Sequence, residues 1–531
     1  MDRIGHSNTS LKTSNLNYIP YTAEKAQSGL LARNTLLNLI GQISPLIIGI
    51  FTIPLIVKGL GVDRFGILSL AWVSLGYFAV FDLGMGRATT NFVSETLGKG
   101  ENNKVATVVL TAAITQSLIG ILGGLVLIVI TPILIEKVLN VPPLLIKEAE
   151  KTFYVLGLSI PIVVVSRSFR GALEAAQRFG LVNMVRIWTN TTLFILPLVG
   201  IFFGWNLPAI VGLLVISQLI ALFAYLLLCL KVFHISTFKV VPQSSMLISL
   251  LKFGGWVAVS DIAAPILVYA DRFLIGALLT ISAVGYYTVP YEIATKLLII
   301  PSSLITTLFP FFSALKVTEH YQLINKAFIK ATEYISFVMI PITGLLFVLS
   351  TDILHLWLGG RFSYHGAIAL RLLAIGIFVN SVAHIPYAFL QGNGRVDLTG
   401  KFHVVELPIY VFSAWIFIVW LGISGAALAW VLRVVLDALF LFAYAFRISG
   451  FSAKEFIQKE LTTLLGSFIV FTSTAYIVYS FASSTAARIF LLFALSFFYL
   501  WLVWKYFFEA QDRSLFLKTL IPKRGNNDGC Q

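Results

Sequence analysis

The sequence predicts an all-α polytopic membrane protein with about fourteen transmembrane helices, arranged as two pseudo-symmetric six-helix lobes plus two C-terminal helices. Three observations predict this fold. The 531 residues are 58% hydrophobic and only 12% charged, with a mean hydropathy of +0.89; a soluble domain carries about 25% charged residues to cover its surface. Apolar runs of about 20 residues, the length that crosses a bilayer core as a helix, recur along the chain with polar punctuation. The first part of the chain is also echoed six spans later. The runs are continuous rather than alternating, which disfavours a β-barrel.

In chain order, residues 1–30 are polar, with Arg3, Lys12 and Lys25 among Ser, Thr and Asn, and predict a cytosolic tail rather than a cleaved signal peptide. The N-lobe, 31–230, holds spans at Leu31–Val57, Ile67–Leu83, Val105–Ile135, Thr152–Phe169, Met184–Phe203 and Leu207–Leu230. A cytosolic linker, 231–249, precedes the C-lobe, 250–446, with spans at Leu250–Ala270, Ser282–Pro310, Ala327–Leu349, Ala367–Leu390, Phe402–Leu421 and Gly425–Phe446. Two additional spans, Leu461–Phe481 and Ile489–Phe508, fall within 447–508, and 509–531 is a cytosolic tail. Each boundary is marked by charge, Gly or polar residues. Ten prolines, among them Pro45, Pro265, Pro301 and Pro408, lie inside spans and kink them.

Of the 38 Lys and Arg, 27 fall on segments that are cytosolic if the N-terminus is inside, 9 on the opposite side and 2 within spans. The positive-inside rule therefore places both termini in the cytosol. The formal net charge of +14 reads as an orientation signal and as contact with anionic headgroups. Scattered over short loops without a stacking module, it does not point to nucleic acid.

The repeat is carried by spans 1–2 and 7–8. Pro45 and Pro265 are both mid-span, and the turn Leu60-Gly61-Val62-Asp63-Arg64-Phe65-Gly66 aligns with Leu279-Thr280-Ile281-Ser282-Ala283-Val284-Gly285. An offset of six spans preserves orientation, so the lobes would be related by an axis along the membrane normal and would face a central cavity.

An ionisable side chain inside a span costs about 3 kcal/mol or more, so each one should face a bundle interior or a wet cavity. Glu292 and Lys296 form an i,i+4 pair in span 8, as do Arg433 and Asp437 in span 12. Lys296 and Arg433, placed mid-span, are the candidate cavity cations; the alternative is that each is neutralised by its acid. Asp82, Asp261 and Glu406 are candidate carboxylates for a coupling proton or ion, or buried hydrogen-bonded acids. Glu333 is a further lone acid, His384 reads as a packed core histidine, and His403 opens span 11. Arg33 and Arg87 read as headgroup anchors unless the cavity opens beside them.

Enzyme signatures are absent: there is no phosphate loop, Cys-x-x-Cys, His-Glu-x-x-His or Gly-x-Ser-x-Gly, and Cys229 and Cys530 make no disulfide framework. No catalytic residue, metal site or cofactor is expected. Without a nucleotide site, transport would be gradient-driven or passive.

Leu60-Gly61-Val62-Asp63-Arg64-Phe65-Gly66, Phe81-Asp82-Leu83-Gly84-Met85-Gly86-Arg87 and Ser94-Glu95 resemble the N-terminal signature of bacterial polysaccharide-biosynthesis flippases, members of the multidrug/oligosaccharidyl-lipid/polysaccharide exporter superfamily. Leu173-Glu174-Ala175-Ala176-Gln177-Arg178-Phe179, Ala270-Asp271-Arg272-Phe273-Leu274-Ile275-Gly276 and Leu390-Gln391-Gly392-Asn393-Gly394-Arg395 are similar to recurrent family segments, and the likeness spans roughly 31–447. The resemblance implies a two-lobed, alternating-access flippase in the bacterial cytoplasmic (inner) membrane. Its cargo would be an undecaprenyl-diphosphate-linked oligosaccharide, an O-antigen, capsule or exopolysaccharide repeat unit. It also implies a cationic cavity, for which Lys296 and Arg433 match, with Arg33, Arg87 and Arg272 as further candidates. Glu292, Asp437, Asp82, Asp261 and Glu406 would serve as charge partners or couple H+ or Na+. Other polysaccharide-assembly proteins are possible partners. The competing readings are an ion-coupled drug or cation antiporter of the same superfamily, whose cavity should be acidic, a membrane-embedded polymerase or glycosyltransferase, for which no loop is large enough, and a structural membrane subunit.

Overall fold

The computed structural model describes residues 45, 47–233, 265–314, 321–482 and 484–507. The described residues are helical, with no strand among them. In chain order the helices are α1 (Ile47–Leu60), α2 (Val62–Tyr77, continued as a 3-10 turn Phe78–Asp82), α3 (Met85–Gly98), α4 (Asn102–Ile133), α5 (Ile146–Ala175), α6 (Phe179–Phe202), α7 (Leu207–Phe233), α8 (265–278), α9 (Ile281–Lys296) and α10 (Ile299–Ala314). There follow α11 (Tyr321–Val348), α12 (Ser350–Leu358), α13 (Gly360–Gly392), α14 (Val396–Leu421), α15 (Ile423–Ser449), α16 (Ala453–Phe456), α17 (Thr462–Phe481) and α18 (Thr485–Tyr506).

Among the described residues, 11 helical stretches are long and apolar enough to cross a membrane, and they coincide with predicted spans 2–6 and 9–14. This is a multi-pass membrane protein. The beginnings of spans 1 and 7 lie outside the described residues. Span 8 is not one helix: α9 stops at Lys296, and 3-10-type bonds (Leu298 N to Thr295 O, 3.1 Å; Ile300 N to Leu297 O, 3.1 Å) carry the chain into α10. Pro301 explains the break, because it has no N–H to return to Leu297 and its ring would clash with that carbonyl.

Lipid offers helices no hydrophobic reason to associate, so close packing at small residues has to hold them together. On α4 and α5, a Cβ at Gly124 would meet the Gly157 carbonyl at 2.6 Å. A different face of α4 presents Ile114, Leu118, Ile121, Leu122, Leu125 and Val129, all exposed at helical spacing as a lipid-facing stripe requires.

Helix pairing repeats with a six-span offset. In the first half α5 packs on α2, α4 and α7, and α6 on α7; in the second, α13 packs on α9, α11 and α15, and α14 on α15. Helices α17 and α18 are additions that pack on α11.

The halves meet where α2 crosses α9. A Cβ on Gly66 would lie 2.0 Å from the Ile281 carbonyl oxygen; a Cβ on Gly285 would lie 3.4 Å from that of Val62. Each carbonyl is four residues before the glycine of its own helix, so the contact is reciprocal. Links that follow odd-numbered spans gather at this end. Asn140 donates its amide to the carbonyls of Ala277 (2.8 Å) and Leu279 (2.9 Å) and its backbone N–H to Gly276 (2.9 Å). It thereby satisfies the open C-terminal carbonyls of α8 from the other half of the chain. Asp63 bonds Ser282, and Trp357 donates to the Ile50 carbonyl at 2.6 Å. At the opposite end, Tyr321 donates to the Gly450 carbonyl at 3.4 Å, joining two even-numbered links.

Candidate functional site

Charge inside the bundle concentrates in the second half. Helix α8 does not end at Ala270 but continues through Asp271 and Arg272, and both side chains have no exposed surface. Arg272, expected from the charge pattern in a loop on the non-cytosolic side, is therefore a buried ion; the apolar run resumes at once with Phe273–Leu274–Ile275, and the two charges interrupt hydropathy without interrupting the helix. Its Nη1 bonds Asp271 Oδ1 at 3.0 Å and the Val268 carbonyl at 2.7 Å. Its guanidinium stacks over Tyr291, 3.8 Å from the ring centre, and its Nη2 lies 4.0 Å from Glu292. Tyr287, one turn before Tyr291 on α9, donates to Asp271 Oδ2 at 2.7 Å. Burying an ion costs several kcal/mol, offset here by an ion pair, a carbonyl, a ring face and the Tyr287 hydroxyl held on the acid. Arg272 Nε and Nη2 are nevertheless left without hydrogen-bond partners among the described residues. Asp271, Tyr287 and Tyr291 escaped sequence reasoning, although the first lies in the segment Ala270–Gly276.

Arg433 on α15 was expected to pair with Asp437, one turn along the same helix. Its Nε instead bonds Glu406 Oε1 of α14 at 2.8 Å, with Nη1 3.4 Å from the Leu267 carbonyl of α8. Glu406 is 2% exposed and Arg433 13%, so the neighbouring helix supplies the tighter, less hydrated partner. Asp437 lies close by and with His403 and Glu406 forms a compact group of possible cation ligands. Tyr410, one turn beyond Glu406, is fully enclosed and lies in the field of Asp271, Tyr291, Arg433 and Arg272. Two ion clusters thus share one interior, bounded by α8, α9, α14 and α15.

Lys296 does pair with Glu292, at 3.0 Å, but it stands at the break between α9 and α10 and half of its side chain is exposed. Tyr269, whose hydroxyl would touch a Cβ at Gly76 of α2, lies in the field of Arg272, Glu292 and Lys296. These charges therefore sit near the boundary between the halves.

In the first half, Asp82 is 4% exposed and ends the 3-10 turn. Leu83 and Gly84 then take left-handed backbone angles, φ 48° and 72°, which turn the chain so that Asp82 accepts the Gly86 N–H at 3.1 Å, next to the N-terminus of α3. Gln116 donates to Asp82 and accepts from Ser168. These bonds join α3, α4 and α5 through the Asp82 carboxylate. Arg87, one residue past Gly86, is exposed and interacts electrostatically with Tyr387 of α13, which is also in the field of Asp437. His384 bonds the Asn380 carbonyl at 2.7 Å, as expected of a packed histidine. Arg33 and Asp261 lie outside the described residues.

The polysaccharide biosynthesis protein profile matches residues 31–316, more than half of the sequence. The chain belongs to that family. Among its relatives are a Shigella flexneri protein assigned by name to O-antigen transport, 27% identical over 417 residues, covering 77% of this chain and 96% of that protein, and the lipopolysaccharide biosynthesis protein WzxC of Escherichia coli K12, 24% identical over 61% of this chain and 64% of that one. The fold is that of the lipid II flippase MurJ in an inward closed conformation (TM-score 0.69, 14% identity, 89% of this chain and 99% of that one). It is also that of an inward-facing multidrug resistance transporter of the MATE family (TM-score 0.64, 14% identity, 78% and 98%). Family and helices together make this a multi-pass membrane protein of the polysaccharide biosynthesis family, and the Shigella relative is one that its name assigns to transport.

Proposed function

We propose that this protein is a flippase that moves an undecaprenyl-diphosphate-linked oligosaccharide across the cytoplasmic membrane by alternating access, with both termini in the cytosol and two six-helix lobes, 31–230 and 250–446, facing a central cavity. Membership of the polysaccharide biosynthesis family is the observation that carries this reading. The buried charge supports it in chemical terms. A diphosphate is held best by cations shielded from bulk water, and Arg433 and Arg272 are enclosed in the second half, while the more exposed Lys296 stands nearer the first half. The seal at α2–α9 supports a state closed at the end that the basic residues mark as non-cytosolic. An acidic, drug-binding cavity is not favoured by this set of arginines, and the MATE likeness concerns the fold alone.

Deleting the gene tests the proposal. Lipid-linked oligosaccharide should accumulate in the cytosolic leaflet while surface glycan is lost; normal surface glycan in the deletion strain would overturn the reading.

A further inference from the structure

His403 and Glu406 stand one turn apart on α14, and Asp437 reaches the same spot from α15. One ring nitrogen of His403 and one carboxylate oxygen each from Glu406 and Asp437 lie within 4.8 Å of one another. Glu406 carries a second, independent sign. It is 2% exposed, its Oε1 is taken by Arg433, and its Oε2 is buried with no partner among the described residues. A buried acceptor left unmade is costly, and a cation would satisfy it. Two carboxylates therefore share one guanidinium here.

From this geometry we infer that His403, Glu406 and Asp437 form a binding site for a divalent first-row metal cation, and that occupying it releases Arg433 toward an anionic substrate. The donor set decides the class of ion. Na+ and Mg2+ favour all-oxygen surroundings, whereas an imidazole nitrogen with two carboxylates suits Mn2+ or Zn2+. Donors sharing one such ion at about 2.1 Å stand about 3–3.5 Å apart, so the widest-spaced donors need to close by up to about 1.5 Å. A metal that draws on Glu406 competes with Arg433 for the same carboxylate. The guanidinium then loses part of its intramolecular partner and gains capacity for a diphosphate, so metal and anion bind with positive linkage. The linkage clause rests on the flippase reading; the metal site does not.

The test uses the full-length protein, purified, stripped with a chelator and reconstituted in nanodiscs without substrate. Titration with Mn2+, followed by loss of the free-ion EPR signal, should show one saturable site from which Zn2+ displaces Mn2+. The near-isosteric Asp437→Asn variant should weaken Mn2+ binding at least tenfold, and His403→Gln provides the same comparison if the first variant fails to fold. Absence of saturable binding, or equal affinity in wild type and both variants, would overturn the site whatever the protein transports. In a second arm, Mn2+ should raise the affinity for an isoprenyl diphosphate in wild type and not in Asp437→Asn. An equal rise in both means chelation by the lipid itself and overturns the linkage.

Discussion

Arg433 is held by one carboxylate on the neighbouring helix, and that partner makes its role separable from its structural duty. If the protein is the flippase proposed above and Arg433 holds the cargo's diphosphate, replacing it by Ala removes a charge-assisted interaction worth about 1.5–3 kcal/mol, and glycan export should fall about tenfold or more. Because the change also orphans Glu406, the paired variant Arg433→Ala/Glu406→Gln is the decisive one. It should restore wild-type thermal stability in detergent while export stays low, and recovery of export in the pair would make Arg433 purely structural. Arg272 differs, since its ion partner Asp271 is equally enclosed and its ring partner Tyr291 covers it. Arg272→Leu leaves a buried carboxylate with the Tyr287 hydroxyl and the backbone N–H of residue 272 but no cation, and should lower unfolding stability by about 3–5 kcal/mol, read as a fall in the melting midpoint. Addition of Asp271→Asn should recover part of the loss.

Between elements, the crossing of α2 and α9 is the close contact that any separation of the two halves would have to break. Gly66 admits no side chain there, because a Cβ would fall 2.0 Å from a backbone oxygen. Gly66→Val should therefore force this end apart. Asn140→Ala should do so more gently, by removing two side-chain bonds to carbonyls of the other half at about 0.5–1.5 kcal/mol each. A Ser282→Cys reporter in a background lacking the native cysteines measures both. Its labelling from the non-cytosolic side by a membrane-impermeant thiol reagent should rise in either variant, and unchanged labelling would mean that the contact does not gate access.

For the whole molecule, orientation is the property open to the simplest measurement. Reporters fused after Gly204 and Gly422 should lie on the non-cytosolic side, and the opposite result would invert the proposed direction of transport. Both positions follow odd-numbered spans. The structure brings other odd links together through Asn140 and the Asp63–Ser282 contact, so one correct reporter constrains the rest of that end.

Much of the helical plan was legible because lipid imposes a length: eleven predicted spans coincide with helices long enough to cross. The sites of failure were local. Span 8 was read as continuous because hydropathy does not register the backbone bond that Pro301 lacks, and α8 was cut short at Asp271–Arg272 because a charge is read as an end whether or not the helix stops. The repeated glycine of the first and second halves was legible, but that Gly66 and Gly285 pack against each other was not. Partner choice was equally hidden. The i,i+4 spacing assigned Arg433 to Asp437, yet a long flexible guanidinium pairs with whichever carboxylate is least hydrated, and Glu406 on the next helix is the more buried.

By itself the sequence determined the solvent, the helical class and the restriction of charge to a few intramembrane positions, because burial of polar groups in hydrocarbon leaves few alternatives. The tertiary structure alone decided which of those charges are enclosed, which acid holds which base, and where the halves touch. Those outcomes depend on distances between segments far apart in the chain, and no local pattern of residues encodes them.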